Sequence, residues 1–277
     1  MKTYAFWEVL EETATGADGK RYALRAWGGS DIDASDAMAA AVVRLAEMQA
    51  AVRTRDGLKH AAQYEYGTGV LREERLQLLA GTDAAPEAVL TRNRYGAPVL
   101  NARRLFIADI DFPEAKPSLK FWAKPVDPAV AALEGVRAWA QAQAATLRAY
   151  RTPNGLRLLR TDHALDAESA EAMADLQALG SDPLYRALCR RQQCFRARLG
   201  PKPWRIDMPS PPRSFPRDAA AERVFREWLA QYEEAGRAYA ACRYVETMGA
   251  APVAAELEAL VRVHDEHSGA LSERKLA

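Results

Sequence analysis

Long apolar runs are missing from this 277-residue chain. None approaches the roughly 18 consecutive apolar residues that a membrane-spanning helix needs, which argues against an integral membrane protein. The opening stretch Met1-Lys-Thr-Tyr-Ala-Phe-Trp-Glu8 lacks the apolar core and small-residue cleavage site of a secretory signal, so the expected location is the cytoplasm. Cysteine is scarce as well. Three residues, an odd number with no Cys-x-x-Cys among them, give neither a disulfide framework nor a strong zinc motif. A net charge of +1 provides no global basic field of the kind that coats nucleic acid nonspecifically, so any basic site has to be local. Lysine is rare too: only eight of the 38 basic residues are lysine, and the other 30 are arginine, whose planar fork matches phosphate and carboxylate groups. Internal repeats and low-complexity tracts are absent.

What is present is enough apolar side chain, 49% of residues, to bury a core, in a length that suits one elaborated domain or two closely packed modules. Strand-like segments Tyr4–Val9 and Arg21–Trp27 flank Thr15-Gly-Ala-Asp-Gly19, whose glycines can supply the positive φ of a hairpin connection. Ser35 precedes an amphipathic helix from Asp36 to about Arg53, with Met38, Val42, Leu45 and Met48 at helical spacing. Leu71–Leu79 is predicted as a second helix. Short strands follow at Ala88–Thr91, Ala97–Leu100 and Arg104–Ile110, then a helix from Pro128 to Gln143. Strands at Thr146–Tyr150 and Leu156–Thr161 surround a Thr152-Pro-Asn-Gly155 turn, and helices are expected at Asp166–Leu179 and Pro183–Arg191. Cys194–Leu199 and Trp204–Met208 are predicted extended and Pro209–Pro216 a connector. Beyond it come a helix Asp218–Tyr239, a strand Arg243–Thr247 and a last helix Val253–His267 stopped at Gly269.

Three constellations can carry chemistry. In Leu105-Phe-Ile-Ala-Asp109-Ile-Asp111, strand alternation projects Asp109 and Asp111 from one face. Carboxylates about 6–7 Å apart at their Cα atoms repel unless a cation sits between them, and hard Mg²⁺ or Mn²⁺ favours such oxygen donors. In Tyr150-Arg-Thr-Pro-Asn-Gly-Leu-Arg-Leu-Leu159, the turn residues Thr152, Asn154 and Gly155 deliver Arg157, with Arg151 and Arg160 nearby, either to a phosphate or to a surface acid. Gly155 also lets backbone approach a ligand closely. In Cys194-Phe-Arg-Ala-Arg-Leu-Gly-Pro-Lys-Pro-Trp-Arg-Ile-Asp207, Arg196 and Arg198 share a strand face, and Lys202, Trp204 and Arg205 follow a Gly-Pro bend. Cations beside an exposed aromatic suit a nucleic-acid backbone and a stacked base, whereas a core tryptophan with solvated cations would be structural. Asp207 is a candidate third carboxylate. His264 and His267, one helical turn apart near a polar end, are expected to face solvent, and Cys189 and Cys194 to pack. The loops Tyr64-Glu-Tyr-Gly67 and Thr91-Arg-Asn-Arg-Tyr-Gly96 either line a cleft or pack.

At these three constellations the sequence resembles the archaeo-eukaryotic primase superfamily, the primase-polymerases, over roughly Leu105 to Pro209. That family pairs a strand-borne Asp-x-Asp with a later Ser/Thr-Gly-x-His turn and a third acid. Asp109 and Asp111 match the metal-binding pair, Thr152-Pro-Asn-Gly155 is similar to the turn, and Asp207 is a loose match for the third acid. Leu156-Arg157 stands where the family has its histidine. The resemblance implies an α+β fold: an RRM-like mixed or antiparallel central sheet flanked by helices, preceded by an α/β unit, with modules 1–100, 101–216 and 217–277. It also implies metal-dependent nucleotidyl transfer, with Asp109, Asp111 and Asp207 as catalytic acids and Mg²⁺ or Mn²⁺ on Asp109 and Asp111. Nucleotide would lie on Thr152, Asn154, Gly155 and Arg157, and DNA or RNA on Arg196, Arg198, Lys202, Trp204 and Arg205. The whole chain also resembles a group of uncharacterised bacterial proteins with similar Thr-Arg-Asn-Arg-Tyr-Gly and Arg-x-Arg-Leu-x-Pro-Lys-Pro-Trp-Arg segments. The rival expectation is a catalytically inactive nucleic-acid-binding or protein-interaction adaptor that keeps the basic surface.

Overall fold

In the computed structural model, which describes residues 1–54, 70–112 and 127–277, the chain is α+β, with antiparallel sheets and helices packed around them. After β1 (Lys2–Thr3), the strands β2 (Phe6–Thr15) and β3 (Arg21–Ser30) form the expected hairpin. Its turn uses Gly19 at φ 79°, and the Asp18 carboxylate accepts from the Lys20 N–H at 3.1 Å and the Tyr22 hydroxyl at 2.8 Å. The helix α1 (Ala34–Val52) starts at Asp33, which caps the Asp36 N–H at 2.8 Å. It buries Ala37, Ala41 and Leu45, and Leu45 packs with Leu24 and Ala26 of the hairpin. A Cβ on Gly28 would collide with the Ala37 carbonyl and the Ala41 nitrogen, so only glycine lets helix and strand approach this closely.

Past residue 70 come β4 (Val70–Leu71), β5 (Glu74–Gly81), β6 (Pro86–Arg92), β7 (Pro98–Ala102), β8 (Ile107–Asp111), α2 (Pro128–Ala142), β9 (Leu147–Thr152) and β10 (Gly155–Arg160). Then follow α3 (Ala170–Ala178), α4 (Pro183–Gln192), β11 (Phe195–Arg198), α5 (Ala219–Gly236), β12 (Tyr239–Ala240), β13 (Arg243–Met248), α6 (Ala255–Ser268) and β14 (Lys275–Leu276). Two four-stranded antiparallel sheets result, ordered β13-β9-β10-β8 and β11-β7-β6-β5. They share one core, in which Phe106 beside β8 meets Phe195 of β11 edge-on at 5.3 Å, and Leu133, Val136, Leu257 and Val261 of α2 and α6 pack on it. The Tyr185 hydroxyl fastens the sheets together: it donates to the Ile107 carbonyl at 2.8 Å and accepts from the Arg196 N–H at 3.2 Å. No helix among the described residues is long and apolar enough to cross a membrane.

Several expectations need correction. Leu71–Leu79 is not a helix. Its Glu, Arg, Leu and Gln favour helix locally, but β6 offers a free antiparallel edge, and bulges at Arg75/Gln77 and Leu78/Ala80 let the segment pair with it as β5. Trp204–Met208 is not extended either. Pro203 opens a single 3-10 turn, Pro203–Arg205, and Asp207 at φ 55° reverses the chain after it. The boundaries at 100 and 216 cut through sheets, because β11 completes the sheet begun by β5–β7 and β13 joins the sheet of β8–β10. His264 is fully buried, while His267 is exposed. The burial is sustained by Asp265, whose carboxylate lies 3.0 Å from His264 Nδ1 and accepts from the Tyr150 hydroxyl at 2.7 Å and Arg148 at 2.6 Å. Tyr64–Gly67 lies outside the described residues.

Candidate functional site

The register of β8 against β10 sets Arg157 directly across from Asp109 and Gly155 across from Asp111. Arg157 grips both oxygens of Asp109, Nε to Oδ1 at 2.8 Å and Nη2 to Oδ2 at 3.2 Å, and its remaining arm donates to the Arg198 carbonyl at 2.9 Å. Burial disfavours the charge on Arg157, but the Asp109 carboxylate overrides it and holds the guanidinium pKa above its ordinary value. A Cβ on Gly155 would strike the Ile110 carbonyl oxygen, so the backbone this glycine admits is that of β8. β8 ends its sheet, yet its outer edge is closed: the Asp109 carbonyl accepts from the Ser181 hydroxyl at 2.9 Å and the Asp182 N–H at 3.3 Å.

A second group of charges adjoins this pair. The segment Leu199–Pro209 is braced by α5, where the Tyr232 hydroxyl donates to the Pro201 carbonyl at 2.7 Å and the Trp228 indole to the Pro209 carbonyl at 3.0 Å. It presents Lys202, Trp204 and Arg205. Trp204 is 51% exposed, with the Lys202 ammonium 5.3 Å from its ring and Tyr95 meeting it edge-on at 5.2 Å. Among the described residues, Arg198, Lys202 and Arg205 enter no salt bridge, although Arg198 donates to the Gly200 carbonyl. Burial, then the charges of Arg157 and Arg205, push the Arg198 pKa down to about 10. Burial and then Arg198 and Arg205 lower Lys202. Burial lowers Arg205 as well, with Asp111 pulling the other way. For Asp111, burial followed by the charges of Asp109 and Asp182 raises the carboxyl above the usual range, while Lys202 and Arg205 oppose the rise. The cations are crowded against one another.

The sequence-derived residues therefore divide. Asp109, Asp111, Arg157, Arg198, Lys202 and Arg205 share one electrostatic cluster, with Trp204 at its rim. Thr152 and Asn154 form the β9–β10 turn at the Asp111 end, where the Asn154 carbonyl accepts from the Phe112 N–H at 2.9 Å. Arg196 faces elsewhere, bound to Glu73 at 2.6 Å and Gln192 at 3.0 Å. Asp207 is exposed, and the third carboxylate whose field reaches Asp111 is Asp182. Asp182, which caps α4, Tyr185 and Glu73 carry no sequence signal that places them here.

Divalent cations need available carboxylate oxygens. Both oxygens of Asp109 accept from Arg157, Asp182 caps α4 through the Tyr185 N–H at 2.8 Å, and Lys202 and Arg205 already occupy the field of Asp111. While Arg157 holds Asp109, this donor set offers Mg²⁺ or Mn²⁺ only the Asp111 carboxylate. It suits an anion. A Cys242–His264–Asp265 row, with Sγ 3.9 Å from Nε2, resembles a nucleophilic triad, but Cys242 is fully buried and burial pushes its thiol up, so it belongs to the core. No family model, curated protein or solved structure matches this chain.

Proposed function

We propose that this protein binds single-stranded nucleic acid, with Arg198, Lys202 and Arg205 on the phosphates and Trp204 stacking a base. One observation carries the reading: three cations are crowded around the Leu199–Pro209 segment without a described carboxylate in salt-bridge contact, and beside them stands a half-exposed indole. An approaching phosphate relieves the mutual repulsion, and a base covers the ring. Fluorescence anisotropy with short single-stranded DNA and RNA tests it. Binding should weaken with salt, with a log–log slope near −2 for about three neutralised phosphates. The Lys202→Ala, Arg205→Ala double variant should reduce both affinity and slope. Equal binding by parent and variant would remove the proposal.

A second reading, metal-dependent nucleotidyl transfer, draws on Asp109 and Asp111 sharing a strand face. It requires Asp109 to release Arg157 first. Primer extension with Mn²⁺ that vanishes in Asp111→Asn, while oligonucleotide binding is retained, would favour it over simple binding.

A further inference from the structure

We infer that the cleft between the N-terminal hairpin and the β6–β7 turn is a separate site for a single nucleotide, a flat heteroaromatic base carrying a phosphate. The inference deepens the proposed function and rests on it for the route between the two sites. The cavity measures about 480 Å³, within the size range of small-molecule sites. Aromatic walls come from Tyr4, Trp7 and Trp27 on one side and Tyr95 on the other. The wall is held in place: a Cβ on Gly29 would collide with the Tyr4 ring, and the Trp7 indole donates to the Tyr4 carbonyl at 3.2 Å.

The polar lining is rich in donors. Glu73 is the one carboxylate that the described residues contribute to the lining, beside Arg44 and Arg196. Both Glu73 oxygens are engaged, one by Arg196 at 2.6 Å and the other by the Thr91 hydroxyl at 2.5 Å. The side-chain carbonyls of Asn93 and Gln192 are also engaged, by the Tyr95 N–H at 2.9 Å and by Arg196 at 3.0 Å, while their NH₂ groups donate to no described residue. Arg44, on α1, enters no salt bridge with a described residue. Such a lining asks its ligand for negative charge and acceptor atoms. Three guanidinium groups already stack on rings here, Arg25 and Arg72 over Trp27, each at 4.7 Å, and Arg94 over Tyr95 at 4.8 Å, which gives planar surfaces that a base extends. Inorganic phosphate or a lipid headgroup would satisfy the arginines and leave the aromatic walls idle. Tyr95 belongs to both sites, since it lines the cavity and touches Trp204. A nucleotide can therefore arrive free or as the end of a strand held along Lys202 and Arg205.

The test uses the full chain and two probes: free nucleoside monophosphates by calorimetry, and short 5′-phosphorylated single strands by anisotropy. Arg44→Glu, which disturbs no ion pair with a described residue, and Trp7→Ala should weaken nucleotide binding by about tenfold, the scale of one lost stack or charge contact. Lys202→Ala, Arg205→Ala should weaken strand binding and leave free-nucleotide binding unchanged. If Trp7→Ala lowers the melting temperature, Arg44→Glu carries the comparison alone. Free nucleotides that bind and are lost in Arg44→Glu support a free-ligand pocket. An effect of Arg44→Glu confined to phosphorylated strands supports a pocket for the strand end. If Arg44→Glu binds both probes as the parent does, the inference fails, whatever happens at Lys202 and Arg205.

Discussion

Two neighbouring clusters of charge in this molecule have opposite histories. On β8 and β10, Asp109 and Arg157 face each other across a ladder, and each strong hydrogen-bonding arm has a partner. On the Leu199–Pro209 segment, Lys202 and Arg205 stand with Arg198, and burial first, joined at Arg198 and Lys202 by neighbouring like charges, holds the pKa values of all three below their ordinary values. A satisfied buried pair is what a fold uses to align its own strands. A crowded cationic group works against stability and persists where something outside the chain completes it. Resemblance of motif had put both clusters in one catalytic apparatus. We read the difference in their electrostatics as one between scaffold and proposed site.

The largest expected effect tests the scaffold half. Asp109→Ala leaves the buried Arg157 guanidinium uncompensated and should cost about 3–5 kcal/mol, toward the lower end because Asp109 keeps a third of its side-chain surface exposed. Urea denaturation measures it, and Asp109→Leu with Arg157→Met should recover most of the loss. A stable Asp109→Ala protein would erase the distinction between the clusters. Gly155→Ala comes next, at about 1–3 kcal/mol, since the new methyl meets the Ile110 carbonyl. A ligand-facing Gly155 would instead change affinity at constant melting temperature.

The legible and the hidden parts of this structure differ for physical reasons. The hairpin at Gly19, the helix α1 and the final helix closed by Gly269 at φ 67° depend on local rules of turn, cap and periodicity, and the sequence declares them. Segments whose state is decided by distant partners do not. Leu71–Leu79 becomes a strand because β6 lacks a neighbour on that side, and residues 203–208 curl because of two prolines and a brace from α5. The Asp109, Asp111 and Arg157 positions were visible from alternation and turn chemistry. Their meaning was not, because whether an arginine meets a phosphate or an aspartate is a matter of register, and register is a property of two strands. Arg196 and Arg198 show the same limit. They share a face of β11, yet one is spent on Glu73 in the aromatic cleft and the other reaches the cationic cluster. The cleft itself, built from six separate stretches of chain, leaves no trace in any one of them.

On the site half, Lys202→Ala and Arg205→Ala should each change stability by no more than about 0.5 kcal/mol, because neither cation has a salt-bridge partner among the described residues to lose. Each should also shallow the salt dependence of oligonucleotide binding by about 0.7 in log–log slope. A pronounced loss of stability would mean that these cations are scaffold after all.

The smallest effect is the most diagnostic, since the two readings of Asp111 give it opposite signs. Burial and the charges of Asp109 and Asp182 raise its folded pKa above the unfolded value. Its contribution to stability is therefore fully present below the ordinary carboxylate pKa and is lost as pH rises through the raised one. Above that pH the ionised carboxylate both weakens the fold and subtracts from the field of Lys202 and Arg205. Oligonucleotide binding by the parent protein should then strengthen as pH falls through this window. Asp111→Asn should be flat across the window, slightly more stable above it, and tighter for oligonucleotide there by a few-fold, the scale of about 0.5–1 kcal/mol for a partly exposed charge pair. A metal ligand behaves in the reverse way, because the amide would remove an anionic donor and weaken binding most where the carboxylate was ionised. Anisotropy on parent and Asp111→Asn proteins across this pH range, with and without Mn²⁺, separates an aspartate that tempers a cationic site from one that recruits a cation.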